Sequence, residues 1–346
     1  MVVLFQAFIF ISALFAAPAY ANDNVVNVYA WANEIPAGVV QAFEKETGIK
    51  VNLSTFENNE TMYAKLRASK NPGYDIVMPY SSFVDRMRRQ DMLEPLDKSK
   101  LTNLKNINSA FVNPIFDPHS AYSVPLLWGI TGMFVNTNYH SPKRLKKWSD
   151  LWHEEYENQL MMLDDTRDVF CIALFVLGYS CNDRDPEHIK EAFLILKTLT
   201  RNIKVFSSDT ITSIMIDDDA TVGVAWNGDV HKSMSENKAI QFIFPADHFV
   251  IWVDNLSILR TAPHKDNAHK FINFLLRAEM AKEVSLFSGY PTANSAGQSM
   301  LPDDIRYNPV IYPSKEILKR GEFLSDVGED ILALYEKYWE ELKMSG

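Results

Sequence analysis

Two acidic residues stand where a predicted strand meets a predicted helix. The apolar run 160–163 indicates a short buried strand, and the residues from Asp168 onward recur with helical spacing. Asp165 occupies a helix N-cap position and Asp168 follows three residues later, so both carboxylates are expected on one side of the helix start. A helix N-terminus favours ionised carboxylates, and open α/β sheets bind ligands beyond the carboxyl ends of their strands. Helix capping alone would also account for both residues.

Three tryptophans recur at or near the ends of predicted strands, namely Trp31, Trp226 and Trp252. Asp254 follows Trp252 by two residues, a spacing that places both side chains on the same face of a strand. A tryptophan near a strand end is often only a core residue. Aromatic faces, however, pack against methylene chains and attract ammonium groups, and carboxylates pair with amines. The combination predicts a site for a flexible organic polycation.

Other chemistries lack their sequence signatures. The chain contains none of the motifs of serine hydrolases, P-loop proteins or dinucleotide-binding folds. Its histidines form no H-x-H or H-x-x-x-H pair, and Asp217–Asp219 lacks the pattern of a calcium loop. We therefore expect no metal and no cofactor. The formal net charge of −10 argues against nucleic acid as a partner and mildly favours cationic ligands, although acidity also keeps proteins soluble.

Alternating strands and helices are expected to position these residues. Their order predicts βαβ units with a parallel sheet, and therefore an α/β fold. The 346 residues suffice for two domains, which several strands would join. The predicted strands are 25–31, 49–56, 74–79, 122–128, 132–136, 160–163, 205–206, 221–226, 240–244 and 249–259. The predicted helices are 36–46, 61–69, 83–89, 168–177, 186–199, 268–276, 280–287 and 331–342.

The N-terminal segment has the pattern of a secretory signal peptide. Residues 2–17 are almost wholly apolar and are followed by Ala19-Tyr20-Ala21, an A-x-A cleavage pattern. No lysine or arginine precedes the apolar run. An uncleaved membrane anchor is the competing interpretation, although the run is short for a span. The pattern predicts a signal peptide over residues 1–21 and an exported chain that begins near Asn22.

The two cysteines, Cys171 and Cys181, are predicted to be free thiols. A disulfide is permitted outside the cytoplasm. Cys171 falls within a predicted helix and Cys181 lies beyond its end, after Gly178. Ten helical residues would separate the two by about 15 Å, which is too far for a disulfide unless the chain doubles back.

Nine stretches along nearly the whole exported chain resemble the bacterial spermidine/putrescine-binding periplasmic proteins, the solute receptors of polyamine ABC transporters. They are ETGIKV at 46–51, ENNETMYAKL at 57–66, DKSKLTN at 97–103, WSDLW at 148–152, DDTRDVF at 164–170, AWNG at 225–228, INFLLR at 272–277, GYPTAN at 289–294 and DVG at 326–328. The resemblance implies two α/β lobes, with strand crossovers at a hinge and the ligand closed between them. It implies that residues 22–128 plus 253–298 form lobe 1 and residues 129–252 plus 299–346 form lobe 2. It further implies a periplasmic location and an inner-membrane ABC permease as partner, and we expect a monomer that is not an enzyme.

In that family aromatic residues line the alkyl chain of the polyamine and acidic residues hold its amines. The matching aromatic positions are Trp31, Trp226, Trp252 and Tyr290. The matching acidic positions are Asp165, Asp168 and Asp254, and Asp168 is shorter than the Glu usual in spermidine binders.

The residues around Trp31 depart from the family pattern. There the family tends to continue with Thr or Ser, then Glu or Asp, then Tyr, whereas this chain has Ala32-Asn33-Glu34. The family's Ser-x-Tyr after the third strand becomes Tyr80-Ser81-Ser82, and a Gln near the C-terminus becomes Leu324. We expect Glu34 to replace the displaced carboxylate and Tyr80 the lost aromatic ring, with Ser82 beside them. A surface position for Glu34 or Tyr80 is the alternative.

The sequence thus predicts a receptor that captures spermidine, putrescine or both by lobe closure and delivers the ligand to a permease. A carboxylate-based hydrolase acting on sugars is an alternative, because paired aspartates and tryptophan platforms suit that chemistry as well. A receptor of the same fold could instead bind a metal, an anion or another organic cation. Adjacent tyrosines typical of iron binders are missing, and only Arg167 lies near for an anion. A polyamine sensor that signals to a membrane partner is the last alternative.

Overall fold

The computed structural model describes residues 24–344, so the predicted signal peptide lies outside the described residues. The strands form one mixed sheet. They are β1 (Val25–Trp31), β2 (Lys50–Phe56), β3 (Ile76–Val77), β4 (Ser123–Asn136), β5 (Leu160–Met162), β6 (Ile203–Phe206), β7 (Val222–Trp226), β8 (Ile240–Ile243), β9 (Phe249–Ile258) and β10 (Gly321–Phe323).

The helices cover both halves of this sheet. They are α1 (Ala37–Thr47), α2 (Asn59–Arg67), α3 (Ser81–Arg89), α4 (Thr166–Leu177), α5 (Pro186–Leu199), α6 (Ile211–Ile216), α7 (Asn227–Glu236), α8 (Lys265–Leu275), α9 (Ala278–Ser288), α10 (Ser295–Ser299), α11 (Asp303–Arg306), α12 (Lys315–Leu318) and α13 (Glu329–Lys343). Short 3₁₀ turns occupy much of the segment between α3 and β4, which has no clear periodicity in the sequence. Among residues 24–344, no helix combines the length and the hydropathy that a membrane crossing requires.

Two long central strands, β4 and β9, connect the halves of the sheet. On one side β1 pairs in parallel with β2 and β3, and β3 pairs with β9 in antiparallel orientation. On the other side the second half of β4 pairs with β7 and β8, and β5 pairs in parallel with β6 and β7. The parallel βαβ units predicted from the sequence are therefore confirmed in each half. The predicted parallel sheet does not extend to β4 and β9, which pair with each other in antiparallel orientation.

Strand β4 is continuous, whereas the sequence predicted two strands interrupted at residues 129–131. The glycines at the interruption serve packing rather than a turn. A Cβ atom at Gly129 would collide with the ring of Trp252, and one at Gly132 would collide with the ring of Phe242. Glycine within a strand often marks such a close approach. The aromatic side chains on neighbouring strands therefore explain why β4 needs these two glycines.

Cys171 and Cys181 form a disulfide, so the prediction of free thiols is wrong. Helix α4 ends at Leu177, and Gly178 has a φ of 83°, in the left-handed region that reverses the chain at a helix end. The segment then returns along α4 and brings the two Cα atoms within 4.6 Å. The predicted 15 Å separation assumed a chain that continued along the helix axis, and the reversal at Gly178 removes that assumption.

Candidate ligand-binding cleft

A cavity of about 480 Å³ opens where several strands of the sheet end. Its walls come from residues that follow β1, β6 and β7, from the middle of β9 and from the turn after α9. Seven of the residues predicted to bind the ligand line it, namely Trp31, Glu34, Tyr80, Trp226, Trp252, Asp254 and Tyr290. The structure therefore brings together side chains that are separated by up to 259 positions in the sequence.

The aromatic side chains are arranged around Trp252. Tyr80 lies nearly parallel to it, with 6.1 Å between ring centroids and 17° between ring planes. Tyr290 and Trp226 meet Trp252 edge to face, at centroid distances of 4.8 Å and 6.4 Å. Trp31 extends the group through Tyr80, 5.5 Å away. Together these rings present apolar faces and edges to the cavity, an arrangement suited to methylene groups and to cations.

Just outside the cavity wall, at the end near Trp226, Asp168 is a fully buried carboxylate with its own donors. It lies in the first turn of α4, where Asp165 caps the helix by accepting a hydrogen bond from the Asp168 amide at 2.9 Å. Its Oδ2 atom accepts hydrogen bonds from Thr131 Oγ1 at 2.8 Å and from Trp226 Nε1 at 2.9 Å. Burial and the charge of Asp165 raise the pKa of Asp168 to about 7 despite these donors. The Oδ1 atom accepts no hydrogen bond from any residue between 24 and 344.

At the other end, Glu34 and Asp254 form a buried carboxyl pair. The chain turns after β1 through Asn33, whose φ of 60° is in the left-handed region that asparagine tolerates. This turn directs Glu34 towards Asp254. Burial and the neighbouring Asp254 raise the pKa of Glu34 well above its usual value. Burial also raises the pKa of Asp254, against the opposing influence of Trp31 and Glu34. Within the described part of the chain, Glu34 Oε2 and Asp254 Oδ1 have no hydrogen-bond partner.

Comparison with known proteins identifies the family. The sequence pattern of the family described as bacterial extracellular solute-binding protein matches residues 38–308. The spermidine/putrescine-binding periplasmic protein of Escherichia coli K12 is 41% identical over 332 residues, which cover 96% of this chain and 95% of that protein. The chain is a bacterial extracellular solute-binding protein. The resemblance inferred from the sequence is thereby confirmed.

Further relatives agree with this assignment. The spermidine/putrescine-binding periplasmic protein 1 of Haemophilus influenzae is 42% identical over 328 residues, covering 94% of this chain and 91% of that protein. The spermidine/putrescine ABC transporter substrate-binding protein of Streptococcus pneumoniae has a solved structure that superposes with a TM-score of 0.80. It is 32% identical and covers 93% of this chain and 99% of its own. The solute-binding protein therefore has the predicted two-lobe α/β fold, while the residue boundaries of the lobes stay a prediction.

Asp229 and Lys232 are among the cavity residues of this solute-binding protein that the sequence analysis missed. Asp229 and Lys232 lie on α7, which begins directly after Trp226. The hydroxyl of Tyr290 donates a hydrogen bond to Asp229 Oδ2. Burial raises the pKa of Asp229, while Tyr290 and Lys232 act in the opposite direction. The signal was present in the sequence, because Asp229 follows a strand end in the same way as Asp165 does.

Three predicted site residues lie outside the cavity wall. Asp168 reaches it through its hydrogen bond to Trp226. Asp165 is directed to the start of α4, which it caps. Burial and the charge of Asp165 together raise the pKa of the nearby Glu60 to about 7. Ser82 is buried in the first turn of α3. A ligand-binding role for these three stays a prediction.

Leu324, which replaces a glutamine of the family pattern, is buried, and its carbonyl accepts a hydrogen bond from Ser81 Oγ at 3.1 Å.

Within residues 24–344, no group of three or more His, Cys, Asp or Glu side chains is placed to hold a metal ion.

Proposed function

We propose that this solute-binding protein captures a polyamine, spermidine or putrescine, in the cavity around Trp252. The observation that carries the proposal is the pairing of buried carboxyl groups with aromatic faces. Asp168, Glu34 and Asp254 each keep an oxygen atom that accepts no hydrogen bond within residues 24–344. An ammonium group supplies N–H donors and a compensating charge, which are the two things a buried carboxylate requires. The relatives named spermidine/putrescine-binding proteins support the same ligand class.

The aromatic residues would hold the chain between the amines. Tyr80 and Trp226 each lie within 6.4 Å of Trp252 by the centroid distances given above, so the three rings form an apolar surface centred on Trp252. Methylene groups placed on it leave water, which contributes about 0.8 kcal/mol for each buried CH₂. The ammonium groups at either end of a methylene segment would then meet Asp168 at one end of the cavity and Asp254 at the other.

Lobe closure would couple binding to recognition by the transporter. Asp229 belongs to predicted lobe 2 and Tyr290 to predicted lobe 1, so their hydrogen bond spans the predicted cleft. A ligand favours the closed state only through contacts that the open state lacks. An amine held by carboxylates from both lobes provides such contacts, because Asp168 and Asp254 lie on opposite predicted lobes. We propose the periplasm as the location, a monomer as the working form and an inner-membrane ABC permease as the partner.

Calorimetric titration of the exported chain with putrescine and with spermidine tests the proposal. We expect one-to-one binding of at least one of them. The matched control ligand is butylamine, which has the same four-carbon chain as putrescine but a single amine. Its binding should be at least about a hundredfold weaker, because one buried carboxylate loses its counter-charge. Equal binding of butylamine and putrescine, or no binding of either polyamine, would contradict the proposal.

Transport and sensing are separated by a further measurement. If the protein feeds a permease, deletion of its gene should abolish high-affinity uptake of labelled putrescine, and the intact gene should restore it. Unchanged uptake together with a lost transcriptional response to putrescine would favour the sensor.

We also infer that the protein is not an enzyme, since its relatives are named as solute-binding components. Release of sugar from any glycoside by the purified chain would contradict that inference.

A further inference from the structure

Lys232 introduces a positive charge into the cavity, whose other charged lining residues are acidic. It lies on α7 one turn after Asp229 and lines the cavity. Its aliphatic stem packs over Gly289, where a Cβ atom would collide with the lysine side chain. Its Nζ atom is 5.9 Å from the centroid of the Tyr290 ring. The position of the ammonium group is therefore determined by packing on both sides of the side chain.

The charge of Lys232 acts on the acidic groups around it without being neutralised by any one of them. It lowers the pKa of Glu34 and of Asp229, two groups that burial shifts upward. No carboxylate oxygen between residues 24 and 344 lies within ion-pair distance of its Nζ atom. The ammonium group thus favours the ionised forms of both Glu34 and Asp229, as an ammonium group of a ligand would.

We propose that Lys232 sets the ligand charge that this cavity accepts, favouring a diamine over a triamine. This inference rests on the proposed function, since it specifies which polyamine the same cavity prefers. Asp168 at one end and the pair of Asp254 and Glu34 at the other provide places for two ammonium groups. A third ammonium group at the second end would meet the fixed charge of Lys232. Two like charges in a protein cavity repel strongly because the dielectric response there is weaker than in water.

The test compares the ratio of spermidine affinity to putrescine affinity in three variants by calorimetry. Lys232→Met removes the charge and keeps the length of the side chain, and it should raise the ratio at least about tenfold. Lys232→Arg keeps the charge and should leave the ratio within about threefold of the original. Lys238→Met is the matched control, because Lys238 is exposed two residues beyond the end of α7 and its Nζ donates to the Met234 carbonyl outside the cavity. It should leave both affinities unchanged.

The outcomes separate the inference from the function on which it rests. If the original chain and Lys238→Met bind neither polyamine, the proposed function fails and the role of Lys232 fails with it. If both bind and Lys232→Met leaves the ratio unchanged, the role of Lys232 is refuted while polyamine binding stands. An equal loss of both affinities in Lys232→Met would mean that the lysine supports the cavity without discriminating between ligands. Circular dichroism spectra of all variants show whether each remains folded.

Discussion

The two ends of the cavity hold their carboxyl groups by different means. Asp168 is held on a helix start, and two donors from β4 and from Trp226 bind one of its oxygen atoms. Glu34 and Asp254 instead face each other, and each has an oxygen atom without a donor in the described chain. The first end matches the family pattern, whereas Glu34 is a departure from it.

The difference separates a preorganised carboxylate from a pair that depends on its surroundings. Hydrogen bonds to the ionised form of Asp168 oppose the effect of burial, so that its charge is partly supported before any ligand arrives. Burial raises the pKa of both Glu34 and Asp254, and Asp254 raises that of Glu34 further, so the pair resists full ionisation unless a cation lies nearby. The end near Asp254 should therefore depend more strongly on the ammonium groups of a ligand and of Lys232.

The largest effect is expected from Asp254→Ala. An ammonium group bound at this end would lose a buried partner, and we expect affinity for the preferred polyamine to fall by about 3 kcal/mol or more, at least about a hundredfold. Calorimetric titration measures the loss. Asp266→Ala is the control, because Asp266 is exposed and pairs with Lys100 away from the cavity. Near-normal affinity in Asp254→Ala would remove this end of the cavity from the proposed site.

The disulfide between Cys171 and Cys181 should stabilise the fold around α4, the helix that carries Asp168, with little effect on ligand binding. Cys171 lies one turn after Asp168 on α4, and its bond to Cys181 closes a loop of ten residues. Replacing both cysteines by serine should lower the free energy of unfolding by about 2–3 kcal/mol. Denaturant unfolding measures this change. Polyamine affinity should change less than about threefold, because neither cysteine lines the cavity.

Reducing agent provides the control for this prediction. It should destabilise the original chain by a similar amount and leave the double-serine variant unaffected. Equal stability of the two chains under oxidising conditions would mean that the crosslink contributes nothing. A large loss of affinity would mean that the position of Asp168 depends on the crosslink.

The pH dependence of protein stability and of ligand affinity should report the ionisation of the carboxyl groups at both ends of the cavity. The pKa of Asp168 in the folded chain is about 7, above the ordinary value of 3.8, so the folded chain retains a proton that the unfolded chain releases between these values. The stability of the ligand-free protein should therefore fall as pH rises from about 4 to about 7. Glu34 and Asp254 act in the same direction, because their pKa values are also raised.

Ligand binding should respond to pH with the opposite sign. The amines of a polyamine stay protonated at neutral pH, while the carboxyl groups that bind them become ionised. Putrescine affinity should increase about tenfold from pH 6 to pH 8 if binding requires ionised Asp168. Thermal unfolding and calorimetry across this range measure both trends. Asp168→Asn should flatten each of them, and pH profiles identical to the original would show that other groups titrate.

Much of the fold could be predicted because each element has a strong local pattern. Helix α5 begins and ends where the proline at its start and its apolar periodicity predict, and the capping of α4 by Asp165 is confirmed. Trp31 and Trp226 converge because both lie at strand ends, as predicted, whereas Trp252 lies in the middle of β9 and reaches the cavity because that strand connects the two halves of the sheet. Strand ends in one sheet can meet along one edge, so the local pattern was sufficient for Trp31 and Trp226 but not for Trp252.

The missed features depend on contacts that no local pattern contains. Helix α7 has only two apolar side chains, Val230 and Met234, in its ten residues, so its periodicity is weak and Lys232 was overlooked. The glycines of β4 resembled a break because the rings of Trp252 and Phe242 that require them come from strands that are adjacent in the sheet but distant in the sequence. The disulfide was missed because the chain reversal at Gly178 decides the distance between the cysteines.

The smallest effect is expected from Thr131→Val, which isolates the preorganisation of Asp168. The substitution keeps the shape of a buried side chain on β4 and removes the hydroxyl that donates to Asp168 Oδ2 at 2.8 Å. A single hydrogen bond of this kind contributes about 1 kcal/mol, so polyamine affinity should fall about fivefold. Thr137→Val is the matched control, since its hydroxyl donates to the Ala239 carbonyl at 2.9 Å beyond the end of the same strand. If both variants bind as the original does, the carboxylate of Asp168 needs no prior support, and the contrast between the two ends of the cavity would then rest on Glu34 and Asp254 alone.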